Sequence, residues 1–525
     1  MKIADAEALG GYVARRALPR SRPRMRLAGV MLAIAAGAAV VLHVVAFDRF
    51  PTPWVDEAHF LVPALRLARH ATLTVPELNA PDGLFWVPDG YYAVLAAAFA
   101  LLPDTLTVAR TTSLLFTLGT LAAFTAIARG LDVPPFAGAV VAAAWLLAPH
   151  VVIAGNNARM EALVILIASA AAALLAFGWG VAAVATAALA PVVHPAGLVV
   201  VAVVLAAAAV GRLDLRPRGV ASWLGVGLAA GVIALESIHV LTHWGIAVDD
   251  LAFQFARKRN NNPMLFDLER APFLLPAAGG VVLLWRSRGR LGDRGPVLAA
   301  LVGLALGFGA VQGGGQEMWY GVYAEPTALA LLILAALGAL SLGDAPNAGI
   351  GATRATRSAS GLVVLIPALA AAVWWANPPV QGFGLTDVPR GEWSAYVEGA
   401  LGALERLDAG LQRPAVVAVD RLSPLTPALV VHRWKHLEFV QETPVSPIRG
   451  PTDALGRPID YWLTTPARLK TLRLVHRVPA PPGASSPAVA YSSSHGNFEL
   501  RVYAVPTAST HATGAAAVST VPDLD

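Results

Sequence analysis

Phe50-Pro51-Thr52-Pro53-Trp54-Val55-Asp56-Glu57-Ala58-His59 follows closely on the first long apolar run of the chain, Leu27 to Phe47. It sets two adjacent carboxylates beside a membrane face. Ionisable groups this near a bilayer are costly and mark functional candidates. The alternative reading is a helix start, because Asp favours N-cap positions; capping and catalysis are compatible. Either way, the stretch reads as the exit of a first span into an exterior loop.

The rest of the chain supports a membrane setting. Of its 525 residues, 56% are hydrophobic and 14% charged, against nearly half apolar and a quarter charged in soluble domains. Runs such as Ala162 to Gly178 and Gly197 to Val210 carry no charge and read as spans. There is no cysteine, which excludes disulfides, thiolate zinc sites and iron–sulfur clusters. The net charge of +5 is concentrated in short clusters between spans; these are topology signals, not a nucleic-acid surface.

Arg15, Arg16, Arg20, Arg22, Arg24 and Arg26 precede the first apolar run. A cleaved signal peptide is the alternative. The run is long enough to span, lacks a well-placed Ala-x-Ala site and is followed by more spans. An uncleaved span with a cytoplasmic N-terminus (1–26) is expected. Arg212, Arg216 and Arg218, then Arg286 to Arg294, then Arg354 and Arg357 mark cytoplasmic loops by the positive-inside rule. Counting outward gives spans near 220–241, 271–286, 296–312, 326–342 and 360–376. Counting backward gives 196–211, 180–193, 161–178, 136–154 and 106–128.

Tyr91 to Leu102 is apolar but too short to cross a ~30 Å core. It is expected as a half-inserted or interfacial helix within an exterior loop spanning 48–105. Phe60, Leu61, Ala64, Leu65 and Ala68 stand at helical spacing with Arg66 and Arg69 opposite, an amphipathic interfacial helix. The fold class is therefore an all-α polytopic membrane domain over 27–376, with about eleven transmembrane helices. The chain after 377 is richer in polar residues and proline. Ala415 to Asp420, Asp460 to Leu463 and Phe498 to Tyr503 read as strands and Tyr396 to Leu407 as a helix. An exterior α/β domain over 377–505 and a disordered tail over 506–525 are expected.

On this topology the polar groups beside the spans fall at exterior ends: Asp56, Glu57, His150, Asn156, Asn157, Arg159, Glu161, His194, Glu236, His239, His243, Glu317 and Glu325. That clustering suggests a cavity opening outward. Arg159 and Glu161, two apart, do not face each other on a helix and would reach different neighbours. His194-Pro195 reads as a structural turn or a phosphate partner. Glu236, His239 and His243 share a helix face, and Glu-x-x-His geometry binds metals. Asp56, Glu236 and His239 form a candidate divalent-metal set (Mg, Mn or Zn), with no cofactor required by the sequence. Arg257-Lys258-Arg259 lies outside, against the positive-inside bias; it is a solvated charge run or a phosphate site. Gly313-Gly314-Gly315-Gln316-Glu317-Met318-Trp319-Tyr320 is a loop entering an aromatic patch, and no dinucleotide or Walker motif appears.

Several short motifs stand in a suggestive order. They are Trp54-Val55-Asp56-Glu57, Pro88-Asp89-Gly90-Tyr91-Tyr92, Ala109-Arg110, Asn157-Ala158-Arg159-Met160-Glu161, His194-Pro195-Ala196-Gly197, and Met318-Trp319-Tyr320 with Tyr323 and Pro326. This order resembles the C-type (GT-C) membrane glycosyltransferases, in the polyprenyl-phosphate-sugar-dependent branch with protein O-mannosyltransferase-like and aminoarabinose transferase-like enzymes. Asp89-Gly90 stands where that branch often has Pro-Pro. The resemblance implies a catalytic acid at Asp56 with Glu57 beside it. It also implies a polyprenyl-phosphate-linked sugar donor drawn from the bilayer, and a glycan, lipid or protein acceptor. Asp56 would take the acceptor proton, with inversion at the anomeric carbon. Arg159, His194, Arg257, Lys258 and Arg259 would meet the donor phosphate. Tyr91, Tyr92, Glu161, Glu317, Trp319 and Tyr320 would line the substrate path, although an interfacial aromatic belt accounts equally for the rings. A lipid-linked-sugar transporter or flippase, or a membrane-anchored cell-envelope scaffold, are the alternatives. A transporter predicts internal repeats and mid-span charges, and neither is visible.

Overall fold

The computed structural model describes residues 22–46, 55–258 except 86, 212, 214 and 218, 294–312, 322–343, 401–419 except 403, 426–443 and 452–464. It also describes positions 366, 369–370, 372–373 and 448 and the strand residues 476–477, 490–493, 496–499 and 501–504. The expected spans at 271–286 and over most of 360–376, and the tail after 506, lie outside these residues.

The membrane-type part is a helical bundle: α1 (Arg22–Ala46), α2 (Val55–His70), α3 (Gly90–Leu101), α4 (Leu106–Gly130), α5 (Pro135–Leu146), α6 (Pro149–Gly155) and α7 (Glu161–Ala176). It continues through α8 (Gly180–Ala187), the turn Ala190–Val193, α9 (Gly197–Val210), α10 (Val220–Thr242), α11 (Trp244–Lys258), α12 (Gly295–Gln312) and α13 (Ala328–Gly343). Three described helices are long and apolar enough to cross a membrane: α1, over Arg26–Val45, α4 and α10. The broken pair α5–α6, bent by 66°, makes a fourth. The span expected at 136–154 is thus two helices, because Pro149 has no N–H for the helical ladder. The one at 180–193 likewise breaks ahead of Pro191. The helices at 90–101, 161–176, 197–210, 295–309 and 325–341 are shorter apolar segments.

One contiguous apolar core joins α1 through α9 with α12 and α13, leaving out α10 and α11, with α4 packed along α7 and α12 along both α9 and α13. Small residues allow the close approaches. A Cβ on Gly130 would lie 2.6 Å from the Ala176 Cβ, and one on Gly90 2.6 Å from the Val192 carbonyl oxygen. α10 differs from the rest: 6% of its apolar window is buried, so nearly all of its side chains face outward from the bundle.

The short segment at 90–101 is a single helix, as its length predicts, with Tyr91, Tyr92, Leu95 and Phe99 buried and Leu101 exposed. α2 differs from expectation. Its apolar stripe (Phe60, Leu61, Ala64, Leu65) is buried inside the protein rather than turned to lipid. α3 covers one side of it and the C-terminal region reaches over another, an arrangement that amphipathicity alone cannot distinguish from lipid contact.

The C-terminal residues form a five-stranded sheet of order β2-β1-β3-β7-β4 from β1 (Ala415–Val419), β2 (Leu437–Gln441), β3 (Tyr461–Thr464), β4 (His476–Arg477) and β7 (Arg501–Ala504). β1 is parallel to β2 and β3, whereas β7 is antiparallel to β3 and β4. β1 is buried along its whole length, as a strand covered on both faces must be. The strand expected at 498–503 is divided at Leu500 between a separate hairpin, β5 (Ala490–Ser493) with β6 (Gly496–Glu499), and β7. Helix α14 (Thr426–Val431) packs on α2, and the Ala454 N–H donates to Asn79 Oδ1 at 2.7 Å. The sheet is thereby docked onto the loop that carries α2.

Candidate active site

Adjacent residues on a helix point about 100° apart, and α2 uses that divergence to separate its two acids. Glu57 turns inward. Its carboxylate accepts Arg110 Nε at 2.9 Å and Arg110 Nη2 at 2.7 Å, and also the Ala158 backbone N–H at 2.9 Å. Both side chains of this forked pair are fully buried. Asp56 stays partly accessible, 26% exposed, and its Oδ2 accepts Arg159 Nη1 at 2.5 Å. His59 Nδ1, one turn along α2, lies 3.8 Å from Asp56 Oδ1.

Arg159 also reaches Glu161, through Nη2 at 2.9 Å and Nε at 3.1 Å to Oε1. The helical-spacing argument against that contact therefore fails. Arg159 sits in the turn that precedes α7, whose first residue is Glu161, so the 100° rule does not govern the pair. The guanidinium lies 5.4 Å from the centre of the Phe60 ring, within cation–π range. Two carboxylates and an aromatic face thus fix Arg159 almost completely buried.

Tyr91 and Tyr92 open α3 and face different groups. Tyr91 Oη and Ser113 Oγ are 3.1 Å apart, and its ring meets Phe60 edge-on at 5.5 Å. Tyr92 is buried, and its hydroxyl has no hydrogen-bond partner among the described residues. It faces a second acidic group formed by Asp89, Glu236 and Asp250. There the Asp89 N–H donates to Glu236 Oε2 at 3.1 Å, Asp89 pairs with His239, and the Phe85 N–H donates to Asp250 Oδ2 at 2.9 Å. The rings of His239 and His243 flank Phe85 at 4.8 and 5.1 Å.

His194 caps the turn Ala190–Val193 and accepts the Ala196 N–H on Nδ1 at 2.9 Å. In the neutral ring this places the proton on Nε2. The ring lies 6.1 Å from that of Tyr323. Tyr323 begins a π-helical turn, Tyr323–Thr327, that precedes α13. The same turn holds Glu325 against His150 at 3.3 Å and Thr327 against Trp145 Nε1 at 3.0 Å. Single π turns recur at functional sites.

The structure therefore brings Asp56, Glu57, Arg159 and Glu161 into one site and sets Tyr91 beside it. Glu236 and His239 gather on Asp89, a grouping that spacing did not reveal. Arg257 and Lys258 end α11 with side chains outside the described residues, and Arg259, Glu317, Trp319 and Tyr320 lie outside them entirely. Among the described residues no three His, Cys, Asp or Glu side chains are placed together to hold a metal ion. Asp56 is instead matched to a guanidinium, a poor neighbour for a divalent cation. The sequence motifs include Arg110 and Asp89 without a role for either, and they leave Asp250 unnoticed. Arg110 carried a usable signal: a charge four residues inside an apolar helix needs a buried counter-charge.

No protein-family profile matches the chain, and neither does any curated protein. Solved structures do. ArnT from Cupriavidus metallidurans, in the apo state, superposes with a TM-score of 0.51 at 17% identity, covering 91% of this chain and 98% of that one. The Archaeoglobus fulgidus oligosaccharyltransferase, in complex with Zn and sulfate, superposes with a TM-score of 0.50 at 12% identity, covering 84% of this chain and 68% of that one. Both have the GT-C fold. The fold is thus the GT-C architecture expected from the motif order.

Proposed function

We propose that the protein is a membrane glycosyltransferase that moves a sugar from a polyprenyl-phosphate donor to an acceptor hydroxyl at the exterior face, with Asp56 as general base. The observation that carries this reading is the division of labour in the acidic pair. Glu57 is consumed by Arg110 at zero exposure, whereas Asp56 stays partly exposed and is oriented by Arg159. A fold shared with ArnT along nearly the whole of both chains supports it.

In the reaction, the acceptor oxygen attacks the anomeric carbon while its proton passes to Asp56. The bond from that carbon to the phosphate oxygen breaks, and its electron pair leaves with the polyprenyl phosphate. Direct displacement inverts the anomeric centre. A base placed in this way is worth about 10²–10⁴-fold. Arg159, already shared by two carboxylates, is assigned to orienting Asp56. The leaving phosphate falls to Arg257, Lys258 and Arg259, with His194 Nε2 as a further donor. Tyr91, Tyr92, Glu161, Glu317, Trp319 and Tyr320 are assigned to the substrate path. The sequence topology of about eleven spans with an exterior domain after 377 belongs to this proposal, and it places the site at the cell-envelope side of the membrane.

Asp56→Asn tests it directly. The variant should insert and fold like the parent while donor turnover falls by at least ~10²-fold. Turnover within a few-fold of the parent would sink the assignment.

A further inference from the structure

A cavity of about 950 Å³ opens between α2 and the C-terminal sheet, away from the Asp56 site. Its apolar floor includes Val62, Leu65, Phe99 and Leu429. Its walls carry charge of both signs, and the charged groups are held in place. Arg66 Nε lies 3.3 Å from Glu77 and Arg69 Nε 2.9 Å from Asp104. Arg457 binds Glu438 at 2.5 Å and Asp453 at 2.6 Å. Arg433 is 84% exposed, and its guanidinium lies 3.9 Å from Asp104. Beside it, the Trp434 ring lies tilted against His432 at 4.2 Å and Phe439 at 5.1 Å between centres, with its Nε1 donated inward to the Leu429 carbonyl at 3.0 Å.

This lining selects a chemistry. Guanidinium groups only donate and carboxylates only accept, so the walls offer fixed donors and acceptors side by side. A sugar hydroxyl does both. An anionic ligand would meet Glu77, Asp104 and Glu438, and a cationic one the four arginines. Trp434 has no hydrogen-bonding group left to offer and presents apolar ring surface, which suits the C–H face of a pyranose. The volume exceeds that of a single sugar ring. α2 links the cleft to the reaction site: at ~1.5 Å per residue, Val62 lies ~9 Å along the helix axis from Asp56.

We propose that this cleft binds a neutral oligosaccharide segment of the acceptor. The acceptor role rests on the transferase reading, whereas the glycan binding does not. The test uses the full-length protein in nanodiscs with saturation-transfer NMR. The probes are a panel of neutral oligosaccharides of several units, with a short peptide and glycerol phosphate as competitors. Binding of at least one oligosaccharide is expected. It should weaken about tenfold or more, the loss of ~1.4 kcal/mol, in Arg433→Ala and in Trp434→Phe, and it should survive in Asp56→Asn. Arg433 is almost fully exposed, so its replacement leaves folding intact even where the Trp434 variant does not. Absence of oligosaccharide binding, binding indifferent to both substitutions, or displacement of the signal to the peptide or glycerol phosphate would each overturn the proposal. Full donor turnover in Asp56→Asn with intact glycan binding would remove the Asp56 assignment and leave the cleft, whereas glycan binding by a parent protein that turns over no polyprenyl-phosphate sugar would remove the transferase reading and leave the cleft.

Discussion

Asp56 and Glu57 are joined by one peptide bond and differ in almost everything that governs chemistry. Glu57 is buried with Arg110 in a forked ion pair. Removing one partner of such a pair costs about 3–5 kcal/mol, while replacing both with apolar groups is often neutral. Arg110→Met should therefore lower thermal stability in detergent steeply. The double variant Glu57→Leu/Arg110→Met should recover most of the loss. An Arg110→Met protein as stable as the parent would show that the pair does not hold α2 to α4. The carboxylate pair itself was legible in sequence because two adjacent acids follow closely on an apolar run. Which acid stays accessible was not, because that depends on where Arg110 and Ala158 come to rest.

At the scale of elements, two contacts decide how the parts fit. Gly90 opens α3 against the Val192 carbonyl, where a Cβ would approach to 2.6 Å. Gly90→Ala should cost about 1–3 kcal/mol through overpacking, read as a lower unfolding temperature. It should also disturb donor turnover, because Tyr91 and Tyr92 follow directly. In the C-terminal sheet, burial alone would raise the Asp408 carboxyl. The backbone N–H groups of Lys435, His436 and Leu437, at 2.9, 2.7 and 2.8 Å, override it and hold the carboxyl below the usual carboxylate range. The folded value is depressed, so the stabilisation is complete above the unfolded carboxylate value near ~4 and fades as pH falls through the folded one. Hydrogen exchange at 435–437, taken relative to the intrinsic amide rate at each pH, should accelerate on acidification in the parent. In Asp408→Ala it should be fast already at neutral pH, and unchanged protection there would dismiss this role. Strand β2, which Asp408 positions, escaped the sequence reading because Leu437 to Gln441 lacks a clear period-two alternation.

For the whole molecule, orientation is the quantity to test. The chain contains no cysteine, so a single introduced thiol reports without background. Leu455, half exposed in the turn between Thr452 and Pro458, lies in the region assigned to the exterior. Leu455→Cys should react with a membrane-impermeant maleimide from the envelope side. Labelling only from the cytoplasmic side would reverse the topology and, with it, the compartment of the reaction.

Composition and periodicity by themselves determined that the chain is a multi-helix membrane protein with a strand-bearing C-terminal part, and the order of short motifs pointed to the GT-C fold. These are local or additive properties, written in runs of apolar residues, basic clusters and neighbouring motifs. Only the tertiary structure decided that Arg159 bridges Asp56 and Glu161, that Glu57 is spent on Arg110, and that Glu236 and His239 serve Asp89. It alone laid the C-terminal sheet over α2 to form a cleft. Apart from the Arg159–Glu161 contact, those outcomes join residues from about fifty to a few hundred positions apart, and burial and pairing at that range are set by how helices pack, which no spacing along the chain encodes.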